Sequence, residues 1–249
     1  MRVVRVQTEY PVYGVLQADG TVQPWTQAPW LGGRPAAGCI PADGYRLLAP
    51  CEPSKIVAVG RNYRDHAAEM GAEVPQEPLL FLKPPTTVIG PGETIRCPPE
   101  SRRVDYEGEL ALVIGRPCRR AAPDVAQTCI WGYTLANDVT ARDLQKSDGQ
   151  WTRAKGFDTF CPLGPWVVPM LEPGAQLTTE LNGRIVQSAG LDQMVFSPPV
   201  LVSYISQVMT LLPGDVVLTG TPAGIGPLTA GDQVRVGLTG LGSLISTVA

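Results

Sequence analysis

The stretch that most restricts what this chain can fold into is residues 105–115, DYEGELALVIG. Side chains on a β-strand alternate between faces, so Glu107, Glu109, Ala111 and Val113 share one side while Leu110, Leu112 and Ile114 share the other. Both sides are apolar along most of their length. This predicts a strand covered on both faces, with the two carboxylates pointing inward. A carboxylate stripped of water is costly unless it meets a counter-charge. A protein cation, a shared proton or a metal ion would serve, and the spacing alone leaves all three open. Arg102 and Arg103, just upstream, are candidate cations, and an exposed sheet edge would also accommodate the pair.

A chain of 249 residues is long enough for one large core, or for a main domain with a small one attached. With 44% hydrophobic residues, 17% charged residues and a formal net charge of -3, it has the composition of a soluble globular protein. There is no basic stripe to suggest nucleic acid, and no apolar run approaches the ~20 residues that span a bilayer. The amino-terminal MRVVRVQTEYPVYG reads as a strand rather than the apolar core of a signal peptide, which leads us to expect a cytoplasmic protein. The six cysteines, at positions 39, 51, 97, 118, 129 and 161, form no C-x-x-C pair, and His66 is the single histidine. A Cys/His zinc site therefore has little to draw on, and reduced thiols are expected. The 27 glycines and 25 prolines are spread along the chain, which suggests many short strands joined by tight turns.

Residues 1–52 hold two β patterns, MRVVRV and VYGVLQADGTVQPW, the second with a DG turn, followed by a Gly/Pro-rich loop. They are expected to form a small β domain ahead of a main domain over 53–249. The main part begins with a strand over 55–59, then a short helix in YRDHAAEMG closed by Gly71. PLLFLKP, the DYEGELALVIG strand and CIWGYTLANDVTARDLQ follow. The clearest helix covers 197–212, with Ser197 as cap, prolines in its first turn, and an apolar stripe of Leu201, Tyr204, Ile205, Val208, Met209 and Leu212. Strands outnumber helices, so the fold class expected is mainly β with some α, built on a rolled or barrel-like sheet.

Four constellations could carry chemistry. Glu107 and Glu109, joined by Asp138 after the next strong strand, make an all-oxygen set that suits Mg2+, Mn2+ or Ca2+ rather than zinc. His66 and Glu69 stand at i and i+3 on one helix face, where a carboxylate can orient an imidazole as general base; an ordinary surface contact has the same spacing. Lys155 could balance the carboxylates and stabilise an oxyanion if it faced them, although a solvated lysine would look the same. GTPAGIGP, residues 220–227, fits neither a P-loop nor G-x-G-x-x-G, and reads as a turn that could aim backbone N–H groups at a carboxylate.

Taken in order, GRNYRDHAAEMG, PLLFLKP, VDYEGELALVIG, GYTLANDVTARDLQ, WTRAKGFDTFCPLGPW, LNGRIVQ, LLPGDVVLTGTPAGIGP and GDQVRVGLTGLGSL closely resemble the fumarylacetoacetate hydrolase superfamily over about residues 53–249. The first 50 residues resemble the small amino-terminal domain of many bacterial members. The resemblance implies a β-roll core, usually homodimeric, with Mg2+ or Mn2+ held by Glu107, Glu109 and Asp138. It assigns His66 and Glu69 to a helix that closes over the site, makes Lys155 the active-site lysine, and places Arg142, Gln145 and Thr221 where substrate is contacted or the site supported. Asp105 matches no ligand position. Fumarylacetoacetase has a further aspartate ligand seven residues before the histidine; Val59 stands there, so fumarylacetoacetate itself is not the expected substrate.

The function implied is cleavage of a C–C bond in a small-molecule 2-oxo acid to release pyruvate by way of an enolate, as in acylpyruvate hydrolases and oxaloacetate decarboxylases. An isomerase or keto–enol tautomerase acting on a 2-oxo or 2-hydroxy-enoic diacid would use the same enolate. A non-catalytic binder that keeps fold and metal is a further alternative, against which the complete set of His66, Lys155 and the three carboxylates speaks.

Overall fold

The computed structural model describes residues 1–249 and is mainly β, with a few short helices. The main sheet has eleven strands. Its central path runs Val22–Trp25, Pro11–Leu16, Val3–Gln7, Cys161–Val168, Ile130–Asn137, Gly108–Ile114, Val216–Leu218, Ile56–Gly60 and Leu79–Lys83. Neighbours on that path are antiparallel except Val216–Leu218 with Ile56–Gly60, which are parallel. A five-stranded sheet, Arg184–Gly190, Gln176–Leu181, Gln233–Leu238, Gly242–Val248 and Thr94–Ile95, packs against it. A third, small sheet joins Thr140–Ala141, Val104–Tyr106 and Gly226–Pro227.

The expectation of a strand covered on both faces is met at Gly108–Ile114, where every residue is buried. Leu110 and Leu112 face a core shared with Leu177, Val236 and Leu244 of the five-stranded sheet. Ala111 and Val113 face the opposite core, with Trp30, Leu163 and Val216. Each buried leucine contributes about 1.5–3 kcal/mol, so this strand is anchored from both sides before its polar end is considered. One detail departs from the single strand expected over 105–115. Val104–Tyr106 pairs in the small sheet and Gly108–Ile114 in the main one, with Glu107 at the junction.

The helices are α1 (Arg64–Glu69), α2 (Pro123–Gln127), α3 (Arg142–Asp148), α4 (Thr152–Lys155) and α5 (Pro198–Val208). The helix expected over 197–212 is shorter: Ser197 is its N-cap residue, but its hydroxyl makes no capping bond, and Met209 is already extended. Beyond it, Leu211 exchanges backbone hydrogen bonds with Cys118. Its buried face is Leu201, Val202 and Ile205, while Val208 and Leu212 are exposed. Bridging to Cys118 satisfies backbone groups that a longer helix would have used internally.

Residues of the amino-terminal part continue the main sheet rather than forming a separate one, since Val3 is in register with Val167. No helix is long and apolar enough to cross a membrane.

Candidate metal centre and active site

The antiparallel register Gly108↔Asn137 and Glu109↔Ala136 brings the end of one strand against the start of the other. Asp138, one residue beyond Asn137, donates its backbone N–H to the Glu107 carbonyl at 2.8 Å. Asn137 Oδ1 accepts the Glu107 N–H at 2.9 Å, so the junction residue is fixed from the facing strand. As a result, Glu107, Glu109 and Asp138 converge: one oxygen from each lies within 4.8 Å of the others, and all three residues are buried.

Two lysines meet these carboxylates. Lys155, at the end of α4, places Nζ 2.8 Å from Glu107 Oε2 and 2.5 Å from Asp138 Oδ2. Lys83, the last residue of its strand, brings Nζ within 2.7 Å of Asp138 Oδ1. The same Nζ also donates to the Val139 carbonyl at 3.3 Å.

Burial alone would raise the Glu107 carboxyl, but Lys155 and Arg142 beside it outweigh burial and hold it below the usual carboxylate range. Burial pushes the Glu109 carboxyl well up, and the neighbouring Asp138 and Glu107 push it further. Burial would lower the Lys155 ammonium, yet Asp138 and Glu107 raise it, so it stays charged.

Glu109 has no ion-pair partner among the side chains; its Oε2 accepts the Gly220 N–H at 2.6 Å. Gly220 sits at φ +98°, and a Cβ there would come 2.7 Å from that of Asn62. Only glycine lets this backbone approach so closely in that conformation. One carboxylate without an ion-pair partner, and three converging carboxylates with no histidine or cysteine in the group, make an all-oxygen donor set that fits a hard divalent cation. Glu107, Glu109 and Asp138 are the residues that would hold it.

His66 and Glu69 lie on α1, as the i, i+3 spacing requires, and line the same cavity as the carboxylates. His66 Nδ1 is 3.1 Å from Glu69 Oε2. In the neutral imidazole, an Nδ1–H donated to this carboxylate leaves Nε2 as the acceptor nitrogen. The second Glu69 oxygen accepts the Gly224 N–H at 3.0 Å, tying α1 to the loop over 220–227. That loop aims N–H groups at two carboxylates, Glu109 through Gly220 and Glu69 through Gly224.

Arg142 opens α3 and is shared three ways. Its Nε donates to Asp105 Oδ2 at 2.9 Å, one terminal nitrogen to Gln145 Oε1 at 2.7 Å, and the other to Glu107 Oε1 at 2.5 Å. Thr221 is tied to the scaffold, donating to the Gly108 carbonyl at 2.9 Å and accepting from Gln187 Nε2 at 2.8 Å.

All nine residues singled out from the sequence therefore border one cavity of about 550 Å³. Sequence reasoning passed over Lys83, whose signal was a lysine ending an apolar run; it set Asp105 aside as a ligand without giving it a role, and considered Arg103 beside Glu107 rather than beside Asp105. Asp105 is fully buried, takes Arg103 on both oxygens at 2.9 and 3.2 Å as well as Arg142, and so anchors the arginines instead of ligating. The cation that pairs with Glu107 is thus Arg142 together with Lys155, not Arg102 or Arg103.

A rolled β scaffold thus brings a buried acidic triad, two lysines and a histidine–glutamate dyad to one cavity, a set of groups that can hold a divalent cation and move a proton. Comparison with known families is consistent with this reading. Residues 55–249 match the Fumarylacetoacetate (FAA) hydrolase C-terminal family, and residues 1–50 match the Rv2993c-like, N-terminal family; the chain belongs to the fumarylacetoacetate hydrolase family.

Protein Rv2993c of Mycobacterium tuberculosis is 51% identical, over 84% of this chain and 80% of its own length. The mitochondrial oxaloacetate tautomerase Fahd2a of Rattus norvegicus is 41% identical, over 84% of this chain and 71% of its own. A Mycobacterium smegmatis structure described as 5-carboxymethyl-2-hydroxymuconate delta-isomerase is 43% identical with a TM-score of 0.93, covering 100% of this chain and 99% of that one. Fumarylpyruvate hydrolase of Pseudomonas aeruginosa, solved with Mn2+ and pyruvate, is 33% identical with a TM-score of 0.75, over 82% and 91%.

Proposed function

We propose that this protein is a divalent-metal-dependent enzyme that enolises a 2-oxo acid, acting as an isomerase or keto–enol tautomerase. The observation that carries this is the His66–Glu69 dyad at 3.1 Å, on a helix bordering the same cavity as a buried carboxylate triad. Among the relatives above, those at 41% and 43% identity bear the names of a tautomerase and an isomerase, and the hydrolase is the more distant at 33%.

A Mg2+ or Mn2+ ion held by Glu107, Glu109 and Asp138 would supply Lewis acidity, polarising the 2-oxo acid and lowering the pKa of its neighbouring C–H. His66 takes that proton from carbon at Nε2, because its Nδ1 proton is engaged by Glu69. The electron pair of the C–H bond becomes the new double bond, and charge collects on the oxygen. Lys155, whose ammonium bridges Glu107 and Asp138, would stabilise that charge as it develops. The proton then returns to oxygen, giving the enol, or to a vinylogous carbon, giving a shifted double bond. Arg142, braced by Asp105, sets one wall of the cavity against Glu107.

C–C cleavage is the second reading, and the likeness to a fumarylpyruvate hydrolase solved with Mn2+ and pyruvate favours it: the same dyad would take a proton from water, and the resulting hydroxide would attack a distal carbonyl to release pyruvate. The experiment is a panel of the enol form of oxaloacetate, a 2-hydroxy-diene-dioate and acylpyruvates with Mn2+, following absorbance and pyruvate release separately. Isomerised product without pyruvate supports the first reading, and stoichiometric pyruvate the second. Turnover of none of them, with tight binding of one, would favour a non-catalytic binder. The homodimer implied by the resemblance remains part of the proposal, and sedimentation would test it.

A further inference from the structure

We propose that Gln187 is a positioning residue for this centre: reaching in from the five-stranded sheet, it fixes as one unit the peptide between Glu107 and Glu109 and the loop over 220–227. The inference rests on reading Glu107, Glu109 and Asp138 as the metal ligands. Gln187 is 1% exposed and does not border the cavity, so it acts through its neighbours and not on the substrate.

The need for such a residue begins in the backbone. Gly108 stands between the two glutamates, where the chain passes from the small sheet into the main one. On one side it faces Asn137. On the other, the neighbouring strand pairs only with Ala111–Val113, so no strand reaches Gly108 there. A buried backbone N–H or C=O left unpaired is costly, and two side chains take the place of the missing strand. Gln187 Oε1 accepts the Gly108 N–H at 3.0 Å, and Thr221 Oγ1 donates to the Gly108 carbonyl at 2.9 Å.

The Gln187 amide nitrogen closes a ring. Nε2 donates to Thr221 Oγ1 at 2.8 Å and to the Pro222 carbonyl at 2.7 Å. The one Thr221 hydroxyl proton goes to Gly108, so its oxygen is free to accept from Gln187, and each link fixes the direction of the next. Three segments distant in sequence are thereby joined at one point. The loop held by Gln187 is the one whose Gly220 N–H meets Glu109 and whose Gly224 N–H meets Glu69. Opening the ring frees the peptide that spaces two ligands and, with it, the loop behind the dyad. Groups bonded behind a metal site set affinity or activity by about 10–100-fold, and a misplacement of about 1 Å can cost about 10²-fold in rate.

The test reads Mn2+ affinity and does not depend on turnover. Calorimetry well below the unfolding temperature compares the native chain with Gln187→Met, Thr221→Val, Thr221→Ser and the double variant Gln187→Met/Thr221→Val. Leu201→Ala, at a buried α5 position that takes no part in the ring, controls for lost stability, and the unfolding temperature is recorded for each. Gln187→Met is expected to raise the Kd for Mn2+ about tenfold or more, and Thr221→Val by a similar factor. The double variant loses no more than the larger single loss, because either change opens the same ring. Thr221→Ser, which keeps the hydroxyl, and Leu201→Ala hold the native Kd. Thr221→Val carries the test if Gln187→Met does not fold. A native Kd in either ring-opening variant, equal weakening in Leu201→Ala, or additive losses in the double variant would overturn this inference and leave the metal reading standing. Failure of the native chain to bind Mn2+ would overturn the metal reading itself, and this inference with it.

Discussion

Lys155 and Asp138 lie seventeen residues apart in the chain and meet at 2.5 Å, both buried, with Glu107 completing the bridge at 2.8 Å from the same ammonium. Breaking a buried pair by removing one partner costs about 3–5 kcal/mol, because the remaining charge is left uncompensated. Lys155→Met is predicted to lower the stability of metal-free protein by that order. Mn2+ should restore more stability to the variant than it adds to the native chain, since the cation supplies the missing charge. Urea unfolding with and without Mn2+ checks this, and a variant as stable as the native protein without metal would contradict it.

His66 contacts Glu69 and is no member of the carboxylate triad. His66→Gln is therefore predicted to leave Mn2+ affinity unchanged while turnover falls about 10²–10⁴-fold, the usual contribution of a positioned acid–base group. Calorimetry and initial rates on the same preparation separate the two effects. Loss of metal, or full retention of turnover, would remove His66 from the proton-transfer role.

Helix α1 is tied to the 220–227 loop through Glu69 and Gly224, which lies at φ +100° with no room for a side chain: a Cβ would come 2.0 Å from the Val186 carbonyl oxygen. Gly224→Ala is predicted to cost about 1–3 kcal/mol from backbone strain alone. It should also weaken the Glu69 anchor and lower turnover without altering the metal ligands. Thermal unfolding together with Mn2+ titration measures both parts.

Asp143, on the surface of α3, has its carboxyl held below the ordinary range by the Ser101 hydroxyl first and by the Arg102 and Leu144 N–H groups. A lowered folded-state pKa contributes stability that is complete above the unfolded value of about 3.9 and is lost as pH falls through the folded value. Asp143→Asn should therefore lower the unfolding temperature at neutral pH, with the gap to the native protein closing at pH values below that range. A gap that persists unchanged into acid would show that the carboxylate charge is not the source.

How much of this was legible in the sequence differs from residue to residue. DYEGELALVIG carried its own burial because period-two apolarity on both faces has one structural solution, and Gly108–Ile114 is buried throughout. His66 and Glu69 were legible because three residues on a helix are always neighbours. Asp105 was legible as a residue outside the ligand set but not as an anchor for arginines, because one of its partners, Arg142, is 37 residues away and joins it through the small sheet and the start of α3. Lys83 was hidden for a similar reason: its carboxylate partner is brought by a strand from elsewhere in the chain. The shortening of α5 was also invisible locally, since it depends on Leu211 bridging to Cys118, a contact with no periodic signature.

The most direct measurement of the central claim is the conversion of enol oxaloacetate to its keto form by the Mn2+-loaded protein, followed by enol absorbance, with Glu109→Gln as control. Glu109 is the carboxylate without a side-chain cation partner, so its neutralisation removes a ligand while leaving the Lys155 bridges in place. The account predicts a protein-dependent acceleration that chelation abolishes and Glu109→Gln loses together with Mn2+ binding. A conversion rate equal to that of Mn2+ in buffer, or full activity in Glu109→Gln, would contradict it.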